Sequence, residues 1–389
     1  MRSNLRTLNA ISLAARPTAF LYITILVIIL FLGGCTNRLS IKPEGSIKIG
    51  VIGAFSGNLA NLAADERLGL EIAADEINAN GGVNGIPIKL LFEDGKCDPK
   101  EATTAATKLT EVDDVKVILG GTCTGESMAI AKVATDKKIV QLSAVTSGSV
   151  YSTTGEWTFR SNPVDNAGDL VTYLLSKGYR RFALLNENTD FSQSIRKDFK
   201  TWVTQGASEV VADENYDTKD SDYRTQLAKL HEARPDMYFL NPQSGPTGVT
   251  LAKQAKELGL SPLFGSRAFE AARASDFPNE LEGIIFYGTA GVVNMQSPQA
   301  KGLFFEYEKR TGKKPFSAFA VASRYDDLNL ISQSMKTCGQ EPACIKDWMY
   351  AMKPYQGVIG TFTFDQNGDP IGVRYAFSQF KGGNVLQLK

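Results

Sequence analysis

Histidine is nearly missing from this chain, since His231 is the single histidine among 389 residues. The five cysteines include no C-x-x-C pair, so the common thiolate and imidazole metal sites have too few ligands. His231 lies in "LAKLHEARPD" on a predicted helix whose apolar positions are Leu227 and Leu230, which predicts a solvated surface residue. We therefore expect no metal and no cofactor.

Hydrolytic motifs are also lacking. There is no G-x-S-x-G elbow, because "GAFSG" places Ser56 at the wrong position. Asp326 and Asp327 lie in the N-terminal part of a predicted helix and are interpreted as ordinary helix charge. No nucleophile, base and orienting residue come together in the sequence, so an enzyme is not expected and no catalytic residue is assigned.

An excess of basic residues is absent. Without the first 34 residues, which contain three arginines and no acidic residue, 39 basic residues remain against 42 acidic ones. A nucleic-acid-binding protein needs a basic face, so this balance gives no support for a nucleic-acid partner.

The longest apolar run, "FLYITILVIILFLGG" at 20–34, is shorter than a typical bilayer span of about 20 residues. It follows a basic segment ending at Arg16, as a secretory signal does. Leu32 to Cys35 resembles the bacterial lipobox, in which the cysteine receives the lipid. We expect a signal peptide over 1–34, lipidation at Cys35 and a tether over 35–46. An uncleaved membrane anchor is the alternative, and both interpretations place the folded part outside the cytoplasm.

Four cysteines remain when Cys35 is set aside, and an even number in an oxidising compartment suggests disulfides. Cys338 and Cys344 can close a short local loop. Cys97 and Cys123 would then pair with each other across a predicted helix.

Strand-like and helix-like segments alternate along the chain. This pattern predicts an α/β fold with a parallel sheet covered by helices on both faces. The first such segments are 47–55, 68–80, 88–94, 99–111 and 115–121. The pattern starts again near Asp165, so two α/β lobes are expected, with a ligand cleft at the carboxyl ends of their strands. A long helix is predicted over 317–335 and a β-hairpin around "DQNGD" near the C-terminus.

The stretch "ILGGTCTGES" at 118–127 has the glycine spacing of a phosphate-binding P-loop, with Glu126 in place of the lysine. A carboxylate there disfavours phosphate. The strand, turn and helix start that remain suit one small anion such as a carboxylate, with Thr124 as a hydroxyl donor. Thr124 can also be a helix cap, and Glu126 a first-turn acid favoured by the helix dipole. A second Ser/Thr turn, which includes Thr146, follows the next predicted strand.

A family resemblance is carried by "IGVIGAFSG", "GLEIAADEINANGGVNG", "EDGKCDPKEA", "FRSNPVDNAG", "DYRTQLAKL" and "GTFTFDQNGD". In this order they resemble the periplasmic leucine/isoleucine/valine-binding proteins of ABC importers. The resemblance implies the type 1 periplasmic-binding fold, with two Rossmann-like lobes of parallel-core sheets around a central cleft. We assign 47–162 and about 290–354 to lobe 1, and 163–289 and about 355–389 to lobe 2.

The same resemblance implies several site residues. It pairs Cys97 with Cys123, and it gives Thr124 the role of donor to a ligand α-carboxylate. The turn from Ala144 to Thr146 would supply a carbonyl for an ammonium group and a hydroxyl for the carboxylate. Leu62 and Phe191 would contact the ligand, one from each lobe.

Two positions depart from the family pattern. Arg267 stands where the family has its ammonium-binding glutamate, and Ser244 aligns with a tyrosine that assists it. An arginine would repel an ammonium and favour a carboxylate or another acceptor. Alternatively, Arg267 can turn outward into a surface salt bridge. Glu126 and Glu270 are the acidic residues considered as replacement partners for an ammonium.

The expected protein is therefore a monomeric, lipid-anchored, extracytoplasmic binding protein. It would capture an amino acid or related small carboxylate by lobe closure. Its partners would be that ligand, the membrane through Cys35, and the permease subunits of an ABC importer. The alternative is a ligand sensor that signals to a membrane receptor.

Overall fold

Two main β-sheets, each with helices packed on it, organise the chain. The computed structural model describes residues 45–164, 167–205, 208–289 and 297–388. The expected signal peptide, Cys35 and nearly all of the tether lie outside these residues. The strands are β1 (Ile47–Gly53), β2 (Ile88–Asp94), β3 (Val117–Gly120), β4 (Val140–Ser143), β5 (Thr158–Arg160), β6 (Arg181–Glu187), β7 (Glu209–Tyr216), β8 (Met237–Asn241), β9 (Leu263–Gly265), β10 (Ile285–Gly288), β11 (Tyr355–Gly357), β12 (Gly360–Phe364), β13 (Pro370–Ile371), β14 (Ala376–Lys381) and β15 (Asn384–Gln387).

The α-helices surround these sheets. They are α1 (Ala60–Ala79), α2 (Pro99–Glu111), α3 (Thr124–Lys137), α4 (Ala167–Ser176), α5 (Asp190–Gln205), α6 (Arg224–Glu232), α7 (Gly245–Glu257), α8 (Pro278–Leu281), α9 (Pro298–Thr311), α10 (Ala318–Cys338) and α11 (Pro342–Ala351). Two short 3₁₀ helices, Ser149–Thr153 and Arg267–Ala271, follow strands β4 and β9. In the described part of the chain, no helix is long and apolar enough to cross a membrane.

The first sheet has the order β2-β1-β3-β4-β5, and all of its pairings are parallel. Every residue of β3 and β4 is buried, as expected for strands covered by helices on both faces. Helix α10 packs against α1 at Gly69, where a Cβ atom would lie 2.4 Å from the carbonyl oxygen of Val321. A glycine is therefore required for this close helix approach.

The second sheet has the order β15-β14-β10-β9-β8-β6-β7. Strands β6 to β10 pair in parallel, whereas β14 pairs antiparallel with both β10 and β15. We call the first sheet with its helices the first lobe and the second sheet with its helices the second lobe. The two lobes of parallel-core α/β structure confirm the predicted fold class.

The C-terminal segment contributes to both lobes. Strands β11 to β13 form a small antiparallel sheet, and Phe362, Phe364 and Val373 pack in the core of the first lobe. Only β14 and β15 join the second sheet. The expected division placed 355–389 in lobe 2 as a block. The structure instead divides that segment between β13 and β14, because the apolar residues of the predicted hairpin fill the first core.

Two local expectations differ from the structure. Helix α1 begins at Ala60, whereas the sequence pattern predicted a start near residue 68. The prediction missed its first turns because Asp65 and Glu66, which are buried, interrupt the apolar pattern there. The interpretation of Asp326 and Asp327 as ordinary helix charge is wrong, since both side chains are buried. Asp326 accepts hydrogen bonds from the backbone N–H groups of Val358 (2.9 Å) and Ile359 (2.8 Å).

Candidate ligand-binding cleft

A cavity of about 60 Å³ lies between the two lobes at the carboxyl ends of their strands. In this arrangement of the lobes it has room for only a few water molecules, so a larger ligand would need the lobes to move apart. The first lobe contributes Asn58, Leu59, Leu62, Thr122, Cys123, Thr124, Val145, Phe316, Ser317 and Phe319 to its lining. The second lobe contributes Phe191, Gln243, Ser244, Gly245, Pro246, Arg267, Ala268, Glu270, Ala271 and Thr289. Because both lobes line it, the cavity changes whenever the lobes move relative to each other.

The turn before α3 is organised by Glu126 and Cys123. Cys123 is the N-cap of the helix and forms a reciprocal capping box with Glu126. The Glu126 carboxylate also accepts from the backbone N–H groups of Cys97 (2.8 Å) and Thr122 (2.8 Å). Burial raises the pKa of Glu126 to about 7. Glu126 therefore stabilises this turn and does not line the cavity. Its position supports neither a phosphate site here nor a role for Glu126 as the partner of a ligand ammonium group.

Thr124 is the first residue of α3 and is buried against the cavity. Its hydroxyl oxygen has no hydrogen-bond partner among the described residues. The capping box accounts for the N–H groups of Cys123 and Glu126, which leaves those of Thr124 and Gly125 without an intrahelical acceptor. A buried, unused hydroxyl at a helix N-terminus is suited to a small anion.

A buried ionic cluster lies directly behind this turn. Thr122 donates from its hydroxyl to Glu66 (2.7 Å), and the Arg324 guanidinium lies 3.6 Å from Glu66 and 3.5 Å from Asp327. Burial raises the pKa of Asp327 to about 7, although the nearby Arg324 guanidinium opposes the shift. The pKa of Glu66 is also raised by burial. The cluster reaches the cavity through Thr122, which lines it.

The turn after β4 reaches the cavity through Val145. Ala144 and Thr146, the two residues singled out from the sequence, are both buried and lie outside the lining set. The Thr146 hydroxyl accepts from Ser143 (2.8 Å) and contacts the hydroxyl of Ser127, so it is used within the first lobe. The Val145 carbonyl instead faces the second lobe.

Five of the seven sequence-predicted site residues line the cavity: Leu62, Thr124, Phe191, Ser244 and Arg267. Ser244 is the N-cap of α7, and its hydroxyl oxygen accepts from the backbone N–H of Thr247. Phe191 is almost fully buried in the first turn of α5. Leu62, on α1, is half-buried. Leu62 of the first lobe and Phe191 of the second lobe give the cavity an apolar wall on each side.

Arg267 lies inside the cleft and crosses it. One of its terminal nitrogens donates to the Val145 carbonyl at 3.3 Å, which joins the second lobe to the first. The guanidinium carbon lies 6.0 Å from the ring centre of Phe191 and 5.9 Å from that of Tyr375. Arg267 therefore points into the cleft and does not turn outward, as the alternative interpretation expected.

Further contacts join the lobes around the cavity. Gln243 donates from Nε2 to Sγ of Cys97 at 3.1 Å, and Ser149 donates to Asp198 at 2.6 Å. These contacts link the two lobes directly in this structure. Cys97 is disulfide-bonded to Cys123, and Cys338 is bonded to Cys344, as the sequence suggested.

Several lining residues were not found from the sequence. Gln243 follows β8, so the rule that ligands lie at strand carboxyl ends could have identified it. Phe316 and Phe319 gave no such signal, because they enter the cavity from the start of α10, far along the chain. No group of His, Cys, Asp and Glu side chains in the described ranges is arranged to hold a metal ion.

Comparison with known proteins agrees with this architecture. A family model described as periplasmic binding protein matches residues 46–384. The leucine-, isoleucine-, valine-, threonine- and alanine-binding protein of Pseudomonas aeruginosa is 24% identical over 331 residues, 83% of this chain and 87% of that protein.

Two solved structures have similar folds. One is the branched-chain amino acid transporter substrate-binding protein LivJ from Streptococcus pneumoniae in complex with isoleucine (TM-score 0.77, 24% identity, 89% of this chain and 100% of that chain). The other is an ABC transporter solute-binding protein from R. palustris in complex with benzoate (TM-score 0.79, 20% identity, 88% and 96%). The family match covers most of the chain and the fold agrees with it, so this chain belongs to the periplasmic binding protein family.

Proposed function

We propose that this protein captures a small carboxylate, either an amino acid or a related organic acid, in the cavity between its two lobes. The observation that carries the proposal is the buried hydroxyl of Thr124, which has no partner among the described residues. It stands at the start of α3, where the helix dipole favours a negative charge. A ligand carboxylate would accept from this hydroxyl.

The apolar walls indicate that the rest of the ligand is hydrophobic. Leu59 and Leu62 lie on one side, Phe191 on the other, and Phe316 and Phe319 complete the lining. Relatives whose names specify isoleucine or benzoate as ligand are consistent with a carboxylate attached to an apolar body.

Closure of the lobes would retain the ligand. The contacts of Arg267 with Val145 and of Gln243 with Cys97 form only when the lobes are together. A ligand that touches both lobes favours the closed form by its differential affinity for the two states. We propose that the closed, loaded monomer delivers its ligand to an ABC permease from the outer side of the membrane, where a lipid on Cys35 would anchor it.

Titration calorimetry on the Thr124→Val variant tests this function. The variant keeps the shape of the side chain and removes the donor, so affinity for a bound carboxylate should fall by tenfold or more, since a hydrogen bond to a charged group is worth about 1.5–3 kcal/mol. The free energy of unfolding should stay unchanged or rise, because a buried hydroxyl without a partner is removed. Thr104→Val, on the exposed face of α2, is the matched control. Equal affinity in both variants would remove Thr124 from the site.

A further inference from the structure

A second and larger cavity, of about 560 Å³, also lies between the two lobes. It shares five lining residues with the cavity at Thr124: Asn58, Leu59, Cys123, Gln243 and Ser244. These residues form the boundary between the two cavities, so a ligand that extends past them from Thr124 enters the larger one. The described lining of the larger cavity is mainly polar and contains three charged side chains, Lys96, Glu187 and Asp190.

Glu187 is the last residue of β6, and only 4% of its surface is exposed. Its oxygen Oε2 accepts from the backbone N–H of Gln243 at 2.7 Å and from the hydroxyl of Tyr216 at 3.3 Å. Both donors lie at the carboxyl ends of the strands that flank β6, since Tyr216 ends β7 and Gln243 follows β8. The carboxylate is therefore held in one position, and its oxygen Oε1 has no hydrogen-bond partner among the described residues.

The charge of Glu187 is not balanced by a cation of the described residues. Lys96, on the first lobe, has its Nζ atom 3.5 Å from Glu101. Burial raises the pKa of Glu187, and the hydrogen bonds from Gln243 and Tyr216 oppose the shift. A buried carboxylate without a counter-charge is unfavourable, and a cation that reaches Oε1 would offset that cost.

Asp190 is the other acidic side chain of the larger cavity. It is the first residue of α5 and is exposed. Water already solvates its charge, so an ion pair there would contribute little. Glu187 is therefore the acidic group of this lining at which a ligand cation gains most.

We propose that Glu187 binds a cationic group of the ligand, which makes the captured molecule a carboxylate with an ammonium group at the far end of an apolar chain. The inference rests on the proposed function, because it takes the ligand carboxylate to lie at Thr124. An ammonium on the α-carbon stays beside that carboxylate, whereas an ammonium several carbons away can extend into the larger cavity. The ligand class is an unbranched ω-amino carboxylate.

Matched probes isolate the terminal ammonium group. Titration calorimetry on the wild-type protein would compare 4-aminobutanoate, 5-aminopentanoate, 6-aminohexanoate and 8-aminooctanoate with the unsubstituted acids of the same chain lengths. At least one amino acid should bind about tenfold or more tightly than its partner acid, as expected for a hydrogen bond between two charged groups. If unsubstituted acids bind and no terminal ammonium improves the affinity, this inference is overturned and the proposed function stands.

The Glu187→Gln variant assigns the preference to one side chain. Its amide oxygen can still accept from Gln243 and Tyr216, so the variant should fold and its free energy of unfolding should not fall. The ratio between the amino acid and its partner acid should drop to within about threefold, while the affinity for the acid stays as in wild type.

Glu232→Gln, at the exposed end of α6, is the matched control and should keep the wild-type ratio. An unchanged ratio in Glu187→Gln, with a circular dichroism spectrum like that of wild type, would contradict the proposal. If no probe and no other carboxylate binds the wild-type protein, the proposed function fails, and this inference fails with it.

Discussion

Gln243 of the second lobe donates a hydrogen bond to Sγ of Cys97 in the first lobe, at 3.1 Å. The same Cys97 is bonded to Cys123, the N-cap of the helix on which Thr124 lies. One amide group therefore links lobe closure to the turn that is proposed to bind the carboxylate. We therefore expect the contact between Gln243 and Cys97 to contribute to ligand retention.

Gln243→Leu should weaken retention of the ligand. It removes a contact that exists only in the closed form, so the dissociation rate should rise several-fold, while the association rate changes little. Stopped-flow or surface-based kinetics with any carboxylate that binds the wild type will measure both rates. Gln205→Leu, on an exposed position of the same lobe, is the control and should leave both rates as in wild type. An unchanged dissociation rate in Gln243→Leu would show that this contact has no part in retention.

The two disulfides should have different effects when they are removed. Chain-entropy estimates give a loss of roughly 3.5 kcal/mol for Cys97–Cys123, which spans 26 residues, and roughly 2.2 kcal/mol for Cys338–Cys344, which spans 6. Paired alanine variants measured by urea denaturation will test these values. Ligand affinity should fall only in the first variant, because Cys123 begins α3 and Cys97 contacts Gln243. Equal affinity in the two variants would separate the first disulfide from the binding site.

The buried cluster of Asp327, Glu66 and Arg324 should make stability depend on pH. The pKa of Asp327 is raised to about 7 from a usual value of 3.8, so the folded protein holds this proton more strongly than the unfolded chain. Its contribution is then complete below about pH 4 and is lost as pH rises toward 7, at up to about 1.4 kcal/mol per pH unit.

Asp327→Asn should therefore flatten the decline of the free energy of unfolding between pH 4 and pH 7, measured by urea denaturation at several pH values. The exposed Asp347→Asn is the control and should keep the wild-type slope. A slope that is the same in all three proteins would mean that Asp327 is ionised throughout this range.

Cys35→Ser tests the proposed membrane anchor. Without the thiol there is no attachment point for lipid, so the protein should move from the membrane fraction to the soluble extracytoplasmic fraction after cell fractionation. The mass of the purified wild-type protein should exceed that of the unmodified chain beginning at Cys35 by the mass of the lipid. A wild-type protein that is soluble and unmodified would reject lipidation at this residue.

The local signals in the sequence predicted much of this molecule. Helix α2 has the predicted bounds, because Asp98 and Pro99 give an unambiguous helix start. A helix start near Thr124 was also predicted, since a buried strand and a Gly/Thr turn precede it, but the N-cap is Cys123 and Thr124 is the first helical residue. These features depend on short segments, whose propensities and capping groups decide their structure.

Other features depend on contacts between distant segments and could not be predicted in this way. The Val145 carbonyl, not Thr146, faces the cleft, because Ser143 and Ser127 draw the Thr146 hydroxyl inward. Asp327 is buried because Arg324 and Glu66 are buried beside it. A polar residue in a sequence is normally expected at the surface, and only the packed structure shows which charges share a partner.

The most direct test of the central claim compares organic acids with their primary amides. A thermal-shift screen of amino acids, aliphatic acids and aromatic acids would be run beside the matching amides on the purified protein. At least one acid should raise the melting temperature in a concentration-dependent way, because a ligand that binds only the folded state stabilises it. Its amide, which has the same shape without the negative charge, should have little effect. Equal shifts from the acid and the amide would contradict a carboxylate-binding cleft.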